Sequence, residues 1–133
     1  MKYMLDTNMC IYVIKHKPEK FFRNLQKTDP GDVCISSITY GELAYGVETS
    51  SQTEKNRLAL SMLLSNVEIM DFDDKAADEY GRIRADLVNA WISMDPLDMM
   101  IAAHGRALGY TIVTNKVKTF SKVKGLKLAN WAK

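Results

Sequence analysis

Short apolar runs alternate along this chain with longer stretches of helical period, and that alternation restricts the fold more than any other feature. Apolar segments at residues 2–5, 33–36, 67–70 and 110–113 are bounded by turn or capping residues and are strand-length. Helix signals fill the intervals. Thr7 and Asn8 can cap a short helix through Ile14, Pro18 suits the first turn of a helix to about Gln26, and Ser37 caps one to about Glu48. Residues 53–64 read as another helix. Asp71, Asp73 and Asp74 then introduce one carrying Ala76, Tyr80, Ile83, Leu87 and Val88 at helical spacing to about Ala90. Residues 91–96 read as a loop, 97–108 as a helix with Gly109 as its C-cap, and 123–128 as a weaker edge strand. Strands separated in this way by helices imply an α/β fold, its central, mainly parallel four- to five-stranded sheet covered on both faces.

The 133 residues are read as one domain, 1–133, large enough to bury a core without a disulfide or structural metal. Hydrophobic residues make up 47% and charged residues 26%, which excludes a disordered chain. No apolar run approaches membrane-spanning length. Asp6 interrupts the N-terminus before a signal-peptide core can form, so a cytoplasmic protein with no membrane partner is expected. Cys10 and Cys34 lie in apolar surroundings without metal-ligand spacing and read as small buried hydrophobes, not a disulfide. The net charge of +2 is unevenly spread, because no acid follows Asp98 while Lys116, Lys118, Lys122, Lys124, Lys127 and Lys133 run unopposed. A solvated lysine-rich surface explains them adequately; a rim that attracts phosphates is the alternative.

Three acids stand against this apolar pattern. Asp6 ends the first strand, Glu42 lies in a helix that is apolar or small almost all round, and Asp98 precedes Met99-Met100-Ile101-Ala102-Ala103. Burying an ionised carboxylate costs several kcal/mol or more, so each must cap a helix, pair with a cation or hold a metal ion. In an open parallel sheet, ligands bind beyond the carboxyl ends of the strands, and Asp6 and Thr114-Asn115 both fall there. Asp98 shares a helix face with Ala102 and Gly105, small residues that permit close approach of another element. Carboxylates brought together raise one another's pKa unless a cation joins them. Oxygen donors without His or Cys select magnesium or manganese over zinc, and such an ion suits phosphodiester hydrolysis.

The ordered segments Leu5-Asp6-Thr7-Asn8, Ser36-Ser37-Ile38-Thr39, Gly41-Glu42-Leu43-Ala44-Tyr45-Gly46, Pro96-Leu97-Asp98-Met99-Met100-Ile101-Ala102-Ala103-His104 and Val113-Thr114-Asn115 closely resemble the PIN-domain ribonuclease toxins of VapBC toxin-antitoxin pairs, the VapC family. The resemblance runs nearly end to end, to Asn130-Trp131, and implies a compact α/β/α domain. It implies a Mg²⁺-dependent endoribonuclease, Mn²⁺ being able to substitute, in which Asp6, Glu42 and Asp98 form the catalytic and metal-holding set, supported by Thr7 and Asn115. A VapB-type antitoxin whose C-terminal segment covers the crevice, toxin homodimers and larger toxin-antitoxin assemblies are implied with it. The implied substrate is a structured RNA, with the anticodon loop of initiator tRNA foremost and inhibition of translation the result. The chain departs from the pattern in having no acid at Asn115 or Thr119, so a second tightly held metal lacks a fourth carboxylate, and in having Asp95 where relatives often carry Gly.

Other features read more simply. His104 occupies a core-facing helical position and is expected to be a hydrogen-bonded structural residue, while Trp91 and Trp131 are expected to anchor packing or an interface before they stack on bases. Two other functions can be weighed. A phosphorelay receiver requires its acceptor acid at the end of a third strand near mid-chain, where this sequence is helical. A non-catalytic nucleic-acid-binding module accounts for the lysines but leaves Glu42 unexplained.

Overall fold

The computed structural model describes residues 2–16 and 19–131. Five short strands form one sheet: β1 (Tyr3–Leu5), β2 (Val33–Ser36), β3 (Glu68–Met70), β4 (Thr111–Val113) and β5 (Lys127–Ala129). All neighbours are parallel, in the order β3-β2-β1-β4-β5, with Leu5 facing Ile35 on one side and Val113 on the other. The order reverses at β1. The crevice beyond the ends of β1 and β4 is therefore the topological switch point where such sheets bind ligands.

Seven helices connect or follow the strands: α1 (Thr7–His16), α2 (Glu19–Gln26), α3 (Ser37–Glu48), α4 (Thr53–Leu64), α5 (Asp74–Asn89), α6 (Pro96–Leu108) and the one-turn α7 (Val117–Phe120). Strand residues alternate between two cores, as the two-residue repeat of a pleated strand requires. Leu5, Val33, Ile35 and Val113 pack with Met9, Phe21, Leu43 and Leu60 from α1 to α4, while Met4, Cys34 and Ile112 pack with Ile83, Leu87 and Ile101 from α5 and α6. Among the described residues no helix is long and apolar enough to cross a membrane.

Most sequence-predicted elements appear, with their ends moved by a residue or two. The edge strand lies at Lys127–Ala129, C-terminal to most of the predicted stretch, and α7 was not anticipated because four residues carry no helical period. The proposed role of Pro18 falls outside the described residues. The helix starts differ in an instructive way. Asp6 itself caps α1 by accepting from the Met9 amide at 2.7 Å, and Ser36 rather than Ser37 caps α3, accepting from the Ile38 amide at 3.1 Å. Ser37 instead accepts from the Phe72 amide, tying α3 to the segment after β3. Both cysteines are buried and free. Trp131 anchors packing as expected, its ring tilted against Tyr3 and Phe21 at 5.0 and 5.7 Å. Trp91 does not: it is 96% exposed and takes a left-handed backbone at φ 59° in the turn after α5.

Candidate active site

Asp6 is completely buried, although it lies just past a strand end, because α1 starts immediately over it and β4 closes the other side. Each of its oxygens has a partner. Oδ1 accepts from the Met9 amide, and Oδ2 accepts from the Thr114 hydroxyl at 2.6 Å. Two neutral donors do not replace lost water. Burial drives the Asp6 carboxyl up to about 6 from an ordinary 3.8, against the lowering effects of both hydrogen bonds and of Lys116, and Asp98 adds repulsion. Asp6 and Asp98 thus sense one another across the crevice.

Asp98 reaches the same place from the first turn of α6. The start of that helix is fixed by Asp95, which accepts from the Leu97 and Asp98 amides, and by Pro96 in the first turn. Close contact of α6 with the sheet depends on Gly105, since a Cβ there would lie 2.4 Å from Ile112 Cδ1. The small face read from the sequence is therefore used as predicted. Asp98 Oδ2 accepts from Lys116 Nζ at 2.8 Å in a largely enclosed ion pair. Burial pulls the Lys116 ammonium down, but the hydrogen bond and charge of Asp98, helped by Asp6 and Asp95, carry it above its ordinary value.

Glu42 is held separately. Its Oε1 accepts from the Thr7 hydroxyl at 2.6 Å, and Thr7 Oγ1 also lies 3.2 Å from the buried Thr39 Oγ1. Thr7, the residue after Asp6, therefore links the Glu42 helix to the crevice. Asn115 hydrogen-bonds to no carboxylate among the described residues; its Oδ1 accepts from Asn8 Nδ2 at 2.7 Å, joining the loop after β4 to α1. His104 is structural, as expected: Nδ1 lies 2.8 Å from the buried Ser36 hydroxyl, and Phe72 packs edge-on against the ring. Burial keeps its pKa below the ordinary value, outweighing the nearby Asp73 charge and a hydrogen bond with the Asp71 backbone. Asp95, where relatives often carry Gly, is an exposed helix cap.

Sequence reasoning missed two site residues. Thr114 was noted only for its position after β4, yet it donates to Asp6 and accepts from the Lys116 amide at 2.8 Å. Lys116 was grouped with the solvated lysines, whereas it folds back onto Asp98. Its place directly after the strand-end pair Thr114-Asn115 was the available signal.

The donor set suits a hard divalent cation. Among the described residues no three Asp, Glu, His or Cys side chains stand close enough to enclose an ion as they are arranged. Asp6 and Asp98, however, are two mutually repelling carboxylates, one of them fully desolvated, and ionised carboxylates offer about four lone-pair sites each. Among the described residues Asp98 Oδ1 and Glu42 Oε2 have no hydrogen-bond donor, and each Asp6 oxygen accepts a single bond. Oxygen chemistry of this kind fits magnesium or manganese.

Comparison with known proteins identifies the family. The PIN domain family model matches residues 3–126. A tRNA(fMet)-specific endonuclease VapC from Shigella flexneri is 41% identical, and a ribonuclease VapC2 from Rickettsia felis is 40% identical; the matches span 99% and 100% of both chains. A crystal structure of DNA-bound VapBC from Salmonella typhimurium superposes with a TM-score of 0.95 at 39% identity, over 98% of each chain. VapBC2 from Rickettsia felis, bound to a DNA fragment from its promoter, superposes at 0.93 with the same identity, over 98% of this chain and 99% of that one. Matched along almost its whole length in both sequence and backbone, the chain belongs to the PIN domain family.

Proposed function

We propose that this chain is the toxin of a VapBC-type toxin-antitoxin pair, a Mg²⁺-dependent endoribonuclease that hydrolyses phosphodiester bonds in structured RNA. The observation that carries the reading is the pair Asp6 and Asp98 at the β1/β4 switch point: a fully buried carboxyl raised to about 6, facing a second acid. Asp6 and Asp98 would hold the ion, and Mn²⁺ would serve in its place. When bound, the ion neutralises charge on the phosphate and acidifies water at the scissile bond. Thr114 and the Met9 amide fix the Asp6 carboxylate, and burial excludes bulk water from it. Glu42, oriented by Thr7, would orient the attacking water or complete the set of ligands. Asn115, held by Asn8, steadies the rim.

The full-length likeness to the Shigella tRNA(fMet)-specific endonuclease supports initiator tRNA as the substrate, cut in its anticodon loop, with arrest of translation as the effect. A cognate VapB-type antitoxin is the expected protein partner, within a toxin homodimer and larger assembly. An apolar groove supports the antitoxin reading: Ile11, Ile14, Leu43, Gly46 and Leu60 line it, and Glu42 stands among the same lining residues. A peptide lying there would run up to the crevice. The test is end-mapping of cellular RNA after brief expression of wild type and Asp98→Asn. One discrete cut in initiator tRNA, absent from the variant, is expected; cleavage by the variant at wild-type rate would overturn the assignment.

A further inference from the structure

Lys116 is held in the crevice by more than its ion pair. Its amide donates to Thr114 Oγ1, which in turn donates to Asp6, so its backbone is bonded into the same cluster as its side chain. The ammonium lies 2.8 Å from Asp98 Oδ2 and 6.0 Å from the centroid of the fully buried Phe120 ring, within cation–π range. The side chain is 36% exposed and its partner 14%, which distinguishes this pair from the surface pairs of α5, such as Arg82 with Asp78 at 62% and 66%. The charges of Asp6 and Asp95 add attraction.

A single positive charge bonded to Asp98 and attracted by Asp6 relieves the same repulsion that a divalent ion would relieve. A divalent ion at Asp98 would meet this ammonium on the same carboxylate. An ammonium at hydrogen-bond distance from a carboxylate that also holds a doubly charged ion faces like-charge repulsion in a water-poor place. We propose that Lys116 is a tethered counter-ion that occupies Asp98 in the metal-free protein and must be displaced for the divalent ion to bind, so that this lysine sets the metal affinity of the site. The inference rests on the reading of Asp6 and Asp98 as the metal-holding pair.

Mn²⁺ binding, measured by calorimetry and by Mn²⁺-induced shift in melting temperature on the full chain, tests it without any cleavage assay. Lys116→Met should bind Mn²⁺ about tenfold more tightly than wild type, the scale of one partly enclosed ion pair. Its metal-free melting temperature should be lower and its Mn²⁺-induced rise larger. Lys116→Arg should restore wild-type affinity, and Lys118→Met, which removes a charge outside the pair, should change affinity less than about twofold. Equal Mn²⁺ affinity of Lys116→Met and wild type overturns the proposal, as does equal tightening by Lys118→Met. Asp98→Asn separates the two levels. If it weakens Mn²⁺ binding while Lys116→Met leaves it unchanged, the counter-ion alone fails; if Asp98→Asn binds Mn²⁺ as wild type does, the metal-holding pair itself fails.

Discussion

The Thr7 hydroxyl donates to Glu42 Oε1 at 2.6 Å across a sequence separation of 35 residues, joining the first turn of α1 to the middle of α3. That bond gives Glu42 one orientation. Thr7→Val keeps the shape but removes the donor, so RNA cleavage should fall about tenfold to a hundredfold, the usual cost of losing a group that orients a metal-site residue. Thr7→Ser should recover most of the rate, and steady-state cleavage of a labelled tRNA would check both.

Asp6→Asn and Asp98→Asn should each reduce cleavage by about a hundredfold or more, since each removes a charge that the reaction needs in a dry site. Gel-shift titration in Ca²⁺ should find RNA binding retained. Loss of binding together with cleavage would point to a folding defect instead.

The raised pKa of Asp6 makes the metal-free protein sensitive to pH. Folded Asp6 keeps its proton up to about 6, whereas the unfolded chain releases it near 3.8, so the folded state binds more protons between those values. Stability from this group is fully present below the lower value and is lost as pH rises through about 6, by about 3 kcal/mol in all. Urea titrations in EDTA should show this downward slope in wild type and its absence in Asp6→Asn, which should be the more stable protein at pH 7. Protons compete with metal over the same range, so Mn²⁺ affinity should fall by about tenfold per pH unit below 6.

Ser36 serves two groups at once, the Ile38 amide of α3 and the His104 ring of α6. Ser36→Ala should destabilise the fold by about 2 kcal/mol, the sum of a lost helix cap and a buried imidazole nitrogen left without its partner. Chemical denaturation measures this directly.

Gly105→Ala places a methyl group against Ile112, whose Cδ1 and Cγ1 would lie 2.4 and 3.0 Å away. The terminal methyl can shift but Cγ1 cannot follow easily in a filled core. A net loss of about 1 kcal/mol is expected after the gain in helix propensity. Adding Ile112→Val should recover part of it, as thermal melting of the double variant would show.

The layered fold was legible because it depends on local signals: apolar runs of strand length, turn and capping residues, and helical spacing in α5 and α6. Asp6, Glu42 and Asp98 stood out because charge in apolar surroundings demands a cause. The partners of those acids were not legible. Thr114 meets Asp6 across a sequence separation of 108 residues, and only its place after Thr114-Asn115 distinguishes Lys116 from the lysines that follow. Which of several lysines turns inward is decided by α7, whose single turn is too short for periodicity to reveal. Trp91 shows the opposite failure. Of the two anchoring roles expected for it, packing within the chain or an interface, the first is ruled out because the turn that joins α5 to α6 directs it outward.

β1 is the central strand, and its neighbour β4 follows it in the chain only after β2 and β3. A nascent chain still missing its C-terminal strands therefore has Asp6 without Thr114 or Lys116. The order of strands thus postpones assembly of the Asp6 cluster until β4 has been made and has paired with β1.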